Sequence, residues 1–175
     1  MNECSELFTR VLKKNDIRAL KKLFELVNNK IYNMAYRILR DSGLAEDVVQ
    51  EAWIKVWEKR NEFNPKYNFC AWIYKIAYRI ALHKYRDRKP TEDITNYTYI
   101  KYEGDDDEQK EILHRAINLL DIECRNLIYM KYFDDLTYKE IAEILDMEFN
   151  HVRYQLYVCR HQLLIILQQL GYENE

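Results

Sequence analysis

The sequence predicts an all-α protein made of two small helical domains, and three observations carry that expectation. Only 3 Gly and 2 Pro occur in 175 residues, too few for the tight turns of a sheet. Apolar residues recur at three- and four-residue spacing through most of the chain. Charge is split unevenly: residues 1–90 carry 19 Lys+Arg against 11 Asp+Glu, and 91–175 carry 8 against 18. The net charge of −2 conceals this asymmetry, which suggests two units with different electrostatic partners.

Each element follows in order. A short first helix is expected over 3–14, and a second over 16–40 with Ile17, Leu20, Phe24, Val27, Ile31, Met34, Ala35 and Ile38 at helical spacing. Asp41 or Ser42 caps a third. Its stripe Ala45, Val48, Val49, Ala52, Trp53, Val56 and Trp57 reads as core, with Trp53 and Trp57 structural, while Glu46, Asp47, Gln50, Glu51, Lys55 and Glu58 face away. After a turn holding Pro65, a fourth helix over 69–88 buries Phe69, Trp72, Ile73, Ile76, Ala77 and Ile80 and offers Lys75, Tyr78, Arg79, His83, Lys84 and Arg86. Residues 91–108 have weak periodicity and seven acids against one Lys, which marks a linker. Its cluster Asp105, Asp106, Asp107 and Glu108 suits either the solvated start of the next helix or a tethering or nucleic-acid-mimicking role.

Helices over 109–120 and 122–133 follow. Thr137 and Glu140 then form a capping box that starts a short helix over 138–145. A turn at 146–148 leads to a long last helix with Phe149, Val152, Leu156, Cys159, Leu163, Ile166 and Leu170 in a heptad-like beat. A short capped helix, a tight turn and a second helix describe a helix-turn-helix.

Several function classes are excluded or disfavoured. Apolar runs stop at about five residues, as in 163–167, far short of the ~20 residues of a membrane span, and residues 1–4 do not open a signal peptide, so a cytosolic location is expected. Cys4, Cys70, Cys124 and Cys159 show no CxxC pair or nearby His, so neither metal nor cofactor is expected, and all four are read as reduced thiols. The four histidines lack partners at catalytic spacing, and no nucleotide-binding Gly loop or HExxH occurs, so no enzyme is expected. Residues 65–89 stand apart, with seven Lys/Arg against one acid and Tyr67, Phe69, Trp72, Tyr74, Tyr78 and Tyr85 interleaved. Cations bind phosphates and aromatic faces stack on unpaired bases, so this mixture suits single-stranded nucleic acid better than closed duplex.

The string AEDVVQEAWIKVW at 45–57, followed by FCAWIYKIA at 69–77, resembles the second conserved region of extracytoplasmic-function (ECF) sigma factors of bacterial RNA polymerase. LTYKEIAEIL at 136–145, with 152–163, resembles their fourth region. The resemblance implies a region 2 helical bundle over 1–90, a flexible acidic linker over 91–108 and a region 4 helix-turn-helix over 109–175. It places polymerase binding, through the clamp coiled coil, on Asp47, Gln50 and Glu51. Minus-ten opening falls to Tyr67, Asn68, Phe69, Trp72, Lys75, Arg79, His83, Lys84 and Arg86, and minus-thirty-five contact to Thr137, Arg153, Tyr154, Tyr157 and Arg160. The implied partners are core RNA polymerase (clamp coiled coil and flap), promoter DNA and an anti-sigma factor that could itself be membrane-bound, with no membrane insertion of this chain.

The chain departs from the family where Arg79 and His83 replace the usual Asn and Asp, where Arg153, Tyr154 and Gln155 replace Lys, Ser and Arg, and where Asp146 replaces the turn Gly. Base preference is therefore not carried over. Residues 109–175 hold 7 basic against 11 acidic side chains, an unusual balance for a unit that grips duplex phosphates. The expected function is a dissociable initiation factor. Its rivals are an operator-binding regulator acting without polymerase and a polymerase-binding protein that has lost promoter recognition.

Overall fold

The computed structural model describes residues 3–87 and 108–172. Among them are eight α-helices: α1 (Glu3–Lys14), α2 (Ile17–Leu39), α3 (Ser42–Glu58), α4 (Phe69–Asp87), α5 (Glu108–Leu119), α6 (Ile122–Tyr132), α7 (Tyr138–Leu145) and α8 (Phe149–Gln169), with a 3₁₀ turn at Arg60–Glu62. They cluster into two compact units, one holding α1–α4 and the other α5, α6, α8 and most of α7. Apart from Glu108, which opens α5, the expected linker and its acidic cluster lie outside the described residues.

Side-chain caps set the helix boundaries. Asp16 accepts from the Ala19 N–H at 3.0 Å and pairs with Arg10 at 2.6 Å. Together these hold its carboxyl below the usual range, the backbone bond being the larger cause. Arg40 takes the left-handed conformation (φ 54°) at the end of α2, and Asp41 at once caps α3 by accepting from Leu44 N–H at 2.9 Å, so the two helices join without a loop. In the second unit Asp121 caps α6, and Arg125 donates to the Asn118 and Leu120 carbonyls at 2.6 and 2.8 Å, satisfying the end of α5.

In the first unit α2, α3 and α4 pack against one another, and α1 lies against α2 and α4. Phe8, Leu23, Ile31, Leu39, Phe69 and Ile73 are its largest fully buried side chains. Phe8 stacks on Phe69 at 4.1 Å, and Phe63 meets both Phe69 and Trp72 at 5.6 and 5.3 Å. The second unit is built on α5 and α6 packed against α8 through Ile117, Ile128, Met130, Leu156 and Cys159.

Four expectations are corrected here. The first half of α2 buries Ala19 and Leu23, leaving Ile17 80% and Phe24 37% exposed, the Phe24 ring lying edge-on against Trp53. Trp57 is 52% exposed with the Arg60 guanidinium 4.9 Å above its ring, whereas Trp53 is half-buried, meets Phe24 edge-on and donates to Asn28 at 2.7 Å. A stripe of seven apolar residues is wider than the face α3 buries, and Trp57 falls outside it. Tyr78 is buried, and Phe149 is exposed at the start of α8.

The cysteines form the fourth correction, because they are not free thiols. Cys4 bonds to Cys70 and Cys124 to Cys159, across sequence separations of 66 and 35 residues. Spacing along the chain cannot show these pairs. Helix packing creates them, bringing the first turn of α1 to the first turn of α4, and α6 to the middle of α8.

Candidate functional site

Three surfaces carry the chemistry expected of the sequence. The first is the outer side of α3. Asp47 and Gln50 project into solvent one turn apart, and Ile54 (58% exposed) and Trp57 continue their row toward the helix end. Sequence reading missed Ile54 as a surface residue and mistook Trp57 for core. Glu51 is turned aside: it pairs with Lys84 on α4 at 3.4 Å and more loosely with Lys55 at 3.8 Å.

The second surface lies on the opposite side of Glu51. An open cleft of about 730 Å³ between the end of α3 and the outer face of α4 is lined by Trp72, Lys75, Arg79, His83 and Lys84 of the expected set. Lys55 and Lys59, spaced four apart and in line with Glu51, add two cations that the sequence reading had not placed here. Glu51, Glu62 and Asp87 line it too, so cations predominate without filling the cleft. His83 Nδ1 sits 2.8 Å from Asp87 Oδ2. Trp72 is half-buried, its inner side meeting Phe63 and Phe69, which leaves its outer edge to the cleft.

The remaining members of that set lie at the two ends of α4, and the structure separates them. Tyr67 is 57% exposed. Asn68 uses its Oδ1 to accept from the Cys70 N–H at 2.9 Å, acting as a cap for α4. Phe69 is wholly buried among Phe8, Phe63 and Trp72, so it offers no ring to a base and supports the turn from beneath. Arg86 is exposed in the last turn of α4.

The third surface is the helix-turn-helix. Thr137 and Glu140 form the reciprocal capping box, with Thr137 N–H donating to Glu140 Oε2 at 2.8 Å and Glu140 N–H donating to Thr137 Oγ1 at 3.2 Å. The Thr137 hydroxyl is thereby occupied in starting α7. Asp146 adopts the left-handed conformation (φ 55°, ψ 42°) that the turn demands, a conformation in which Asp is tolerated. Val152, Leu156 and Cys159 face the interior of the unit, which puts Arg153, Tyr154, Tyr157 and Arg160 on the exposed side of α8. Arg153 lies 6.0 Å over the exposed Phe149 ring. An apolar groove of about 790 Å³ runs between α5, α6 and α8, lined by Leu113, Ile117, Tyr132, Phe133, Leu164 and Leu167, and Tyr157 and Arg160 of the exposed face line it too.

Among the described residues no helix is long and apolar enough to cross a membrane, and no cluster of His, Cys, Asp or Glu could hold a metal ion.

The comparisons agree with this architecture. The Sigma-70 region 2 family matches residues 23–91 and the Sigma-70 region 4 family matches 110–157. The chain is 30% identical to the ECF RNA polymerase sigma factor SigW of Bacillus subtilis over 91% of its own length and 94% of the relative's. It is 27% identical to the ECF RNA polymerase sigma-E factor of Escherichia coli K12, over 87% and 88%. In fold it resembles CnrH, solved with the cytosolic domain of CnrY, with a TM-score of 0.73, 18% identity and coverage of 96% and 99%. It also resembles the sigma factor RpoE of Bartonella quintana, solved with the anti-sigma factor NepR, with a TM-score of 0.64, 18% identity and coverage of 85% and 96%. With both sigma regions in order and relatives matched along nearly their whole length, the chain belongs to the ECF sigma factors of RNA polymerase.

Proposed function

We propose that this sigma factor binds core polymerase through the outer face of α3 and opens promoters with the α3–α4 cleft. The observation that carries the reading is the division of the first unit into two chemically distinct faces on either side of Glu51. One face is acidic and polar with an apolar end: Asp47, Gln50, Ile54 and Trp57. It suits a basic partner element that also carries an apolar contact, such as the clamp coiled coil. The other is a cationic cleft edged by Trp72, with the exposed Tyr67 ring on the turn before α4. Lys and Arg there hold the phosphates of a displaced strand, and the rings stack on its unpaired bases.

Residues 1–90 would thus act as region 2 and 109–175 as region 4, with 91–108 as the linker. The exposed side of α8 is proposed to read upstream promoter sequence, with Arg153 and Tyr154 nearest the helix start and Tyr157 and Arg160 behind them. The acidic balance of this unit makes it a weak DNA binder alone. Tethering to polymerase supplies the effective concentration it lacks. The groove beside α8 is apolar enough to take an apolar segment of the polymerase flap. The solved complex of a related fold with the anti-sigma factor NepR supports an inhibitory partner for this chain as well. A cytoplasmic location follows from this reading, since that is where core polymerase works, and membership of the sigma family supports a role that binds and positions rather than catalyses.

The test is to add the purified chain to core polymerase, score co-migration, and sequence the 5′ ends of transcripts made from fragmented genomic DNA. Co-migration with a restricted set of start sites sharing two upstream elements is the expected result. Failure to co-migrate, with duplex binding by the chain alone, would instead indicate an operator-binding regulator.

A further inference from the structure

We infer that Cys4 and Cys70 form a peroxide-responsive latch that fastens the start of α1 to the turn presenting Tyr67, and so sets promoter opening. The inference rests on the minus-ten reading above. Three contacts from the first two turns of α1 converge on residues 67–70. Ser5, fully buried, donates its hydroxyl to the Tyr67 carbonyl at 2.7 Å and accepts the Phe69 N–H at 3.0 Å. Phe8 stacks on Phe69 at 4.1 Å. Cys4 is bonded to Cys70, with Cα atoms 6.0 Å apart. The turn whose ring projects outward is therefore held on both sides of Asn68 by an element that carries none of the proposed DNA contacts.

A cysteine pair at bonding distance in a thiol-buffered compartment behaves as a reversible couple more often than as a permanent staple. The two pairs in this chain differ in access. Cys4 is 8% exposed but Cys70 is only half-buried, whereas Cys124 and Cys159 are 6% and 0% exposed, so Cys70 is the sulfur an oxidant reaches first. In the reduced chain the Cys70 thiolate attacks one oxygen of a hydroperoxide and the O–O bond breaks. The other oxygen leaves and, on taking up a proton, becomes the alcohol, or water when the oxidant is hydrogen peroxide. Cys70 is left as a sulfenic acid. Cys4 sulfur then attacks the Cys70 sulfur, the S–S bond forms, and hydroxide departs as water with the Cys4 proton. Two thiols and one hydroperoxide thus give one disulfide, one alcohol and one water. Exchange with a dithiol reductant reverses the change. In the bonded state the turn is fixed as seen here; in the reduced state only the Ser5 bridge and the ring stack hold it.

The test uses the full chain, reduced and then treated with hydrogen peroxide. Peptide mapping should find Cys4 joined to Cys70 before Cys124 joins Cys159, and amide exchange at Phe69 and Cys70 should slow at least tenfold on oxidation. Holoenzyme assembled from each form should open a promoter recovered by the transcript mapping above, with the oxidised form at least threefold faster. Cys4→Ser and Cys70→Ser should both remain at the slow rate and ignore peroxide, while Cys124→Ser should still respond. Equal opening by both forms, each bound to core polymerase, would overturn the latch, as would a peroxide response surviving in Cys70→Ser. If neither form bound core polymerase, the proposed polymerase function would fail instead; linkage order and exchange would then decide the latch, and unchanged exchange at Phe69 would sink it.

Discussion

Glu51 Oε2 on α3 lies 3.4 Å from Lys84 Nζ on α4, and this pair marks the boundary between the two faces of the first unit. It takes Glu51 out of the row formed by Asp47 and Gln50 and turns it over the cationic cleft. Replacing Glu51 should therefore have a different effect from replacing its two neighbours. Asp47→Ala with Gln50→Ala should weaken core polymerase binding and leave strand binding intact. Glu51→Ala should strengthen single-strand binding by removing an anion from the cleft. The partly exposed pair itself should contribute only ~0.2–1 kcal/mol, measurable as the coupling in a double-mutant cycle with Lys84→Ala.

Trp57 and Phe69 should exchange the roles that apolarity alone assigns them. Trp57→Ala removes an exposed ring and one cation–π contact, so stability should fall by no more than ~1 kcal/mol while core binding drops. Phe69→Ala opens a cavity under four rings and should cost ~3–5 kcal/mol, unfolding much of the unit. Thermal melts beside core-binding curves check both. A destabilised Trp57→Ala would return that residue to the core.

Thr137 should matter through α7 rather than through DNA directly. Its hydroxyl and backbone N–H are committed to the Glu140 box, so Thr137→Ala should cost ~1 kcal/mol of stability. Thr137→Ser should restore it. If Thr137→Ser kept the stability but lost upstream-sequence discrimination, the methyl group would be a contact in its own right.

The second disulfide should act as a staple. Cys124–Cys159 joins α6 to α8 inside the packed unit, and its loss by Cys124→Ala with Cys159→Ala should cost ~2–4 kcal/mol through the freed unfolded chain and lost burial. Melting of the full chain, with the first unit followed by its tryptophans, separates the two transitions.

Much of this was legible in the sequence, for identifiable reasons. The helix ends at Asp16, Asp41 and Thr137 were readable because capping is local chemistry, fixed within three residues of each side chain. The inward side of α8 was readable at Val152, Leu156 and Cys159, where the apolar spacing is helical, but not at Phe149, which is left exposed. What escaped depended on contacts between distant segments. Whether Trp57 or Phe69 is covered is decided by which helix lies across it, since both are aromatic and both lie on an apolar stripe. The two disulfides, the Ser5 bridge and the Glu51–Lys84 pair span 33 to 66 residues and leave no mark in local spacing. The cleft itself was half visible, since the Lys/Arg and aromatic residues of α4 stood out while Lys55 and Lys59 on its far wall did not.

The central claim is that the α3–α4 cleft captures strand as the promoter opens, and the most direct measurement compares holoenzymes on closed and pre-opened templates. Trp72→Ala and Arg79→Ala should bind core polymerase as the parent does, open closed promoter at least tenfold more slowly, and recover most activity on a bubble. Their residual strand binding should also show a shallower salt dependence for Arg79→Ala, which lacks one phosphate contact. Variants as active on closed promoter as the parent would contradict the account.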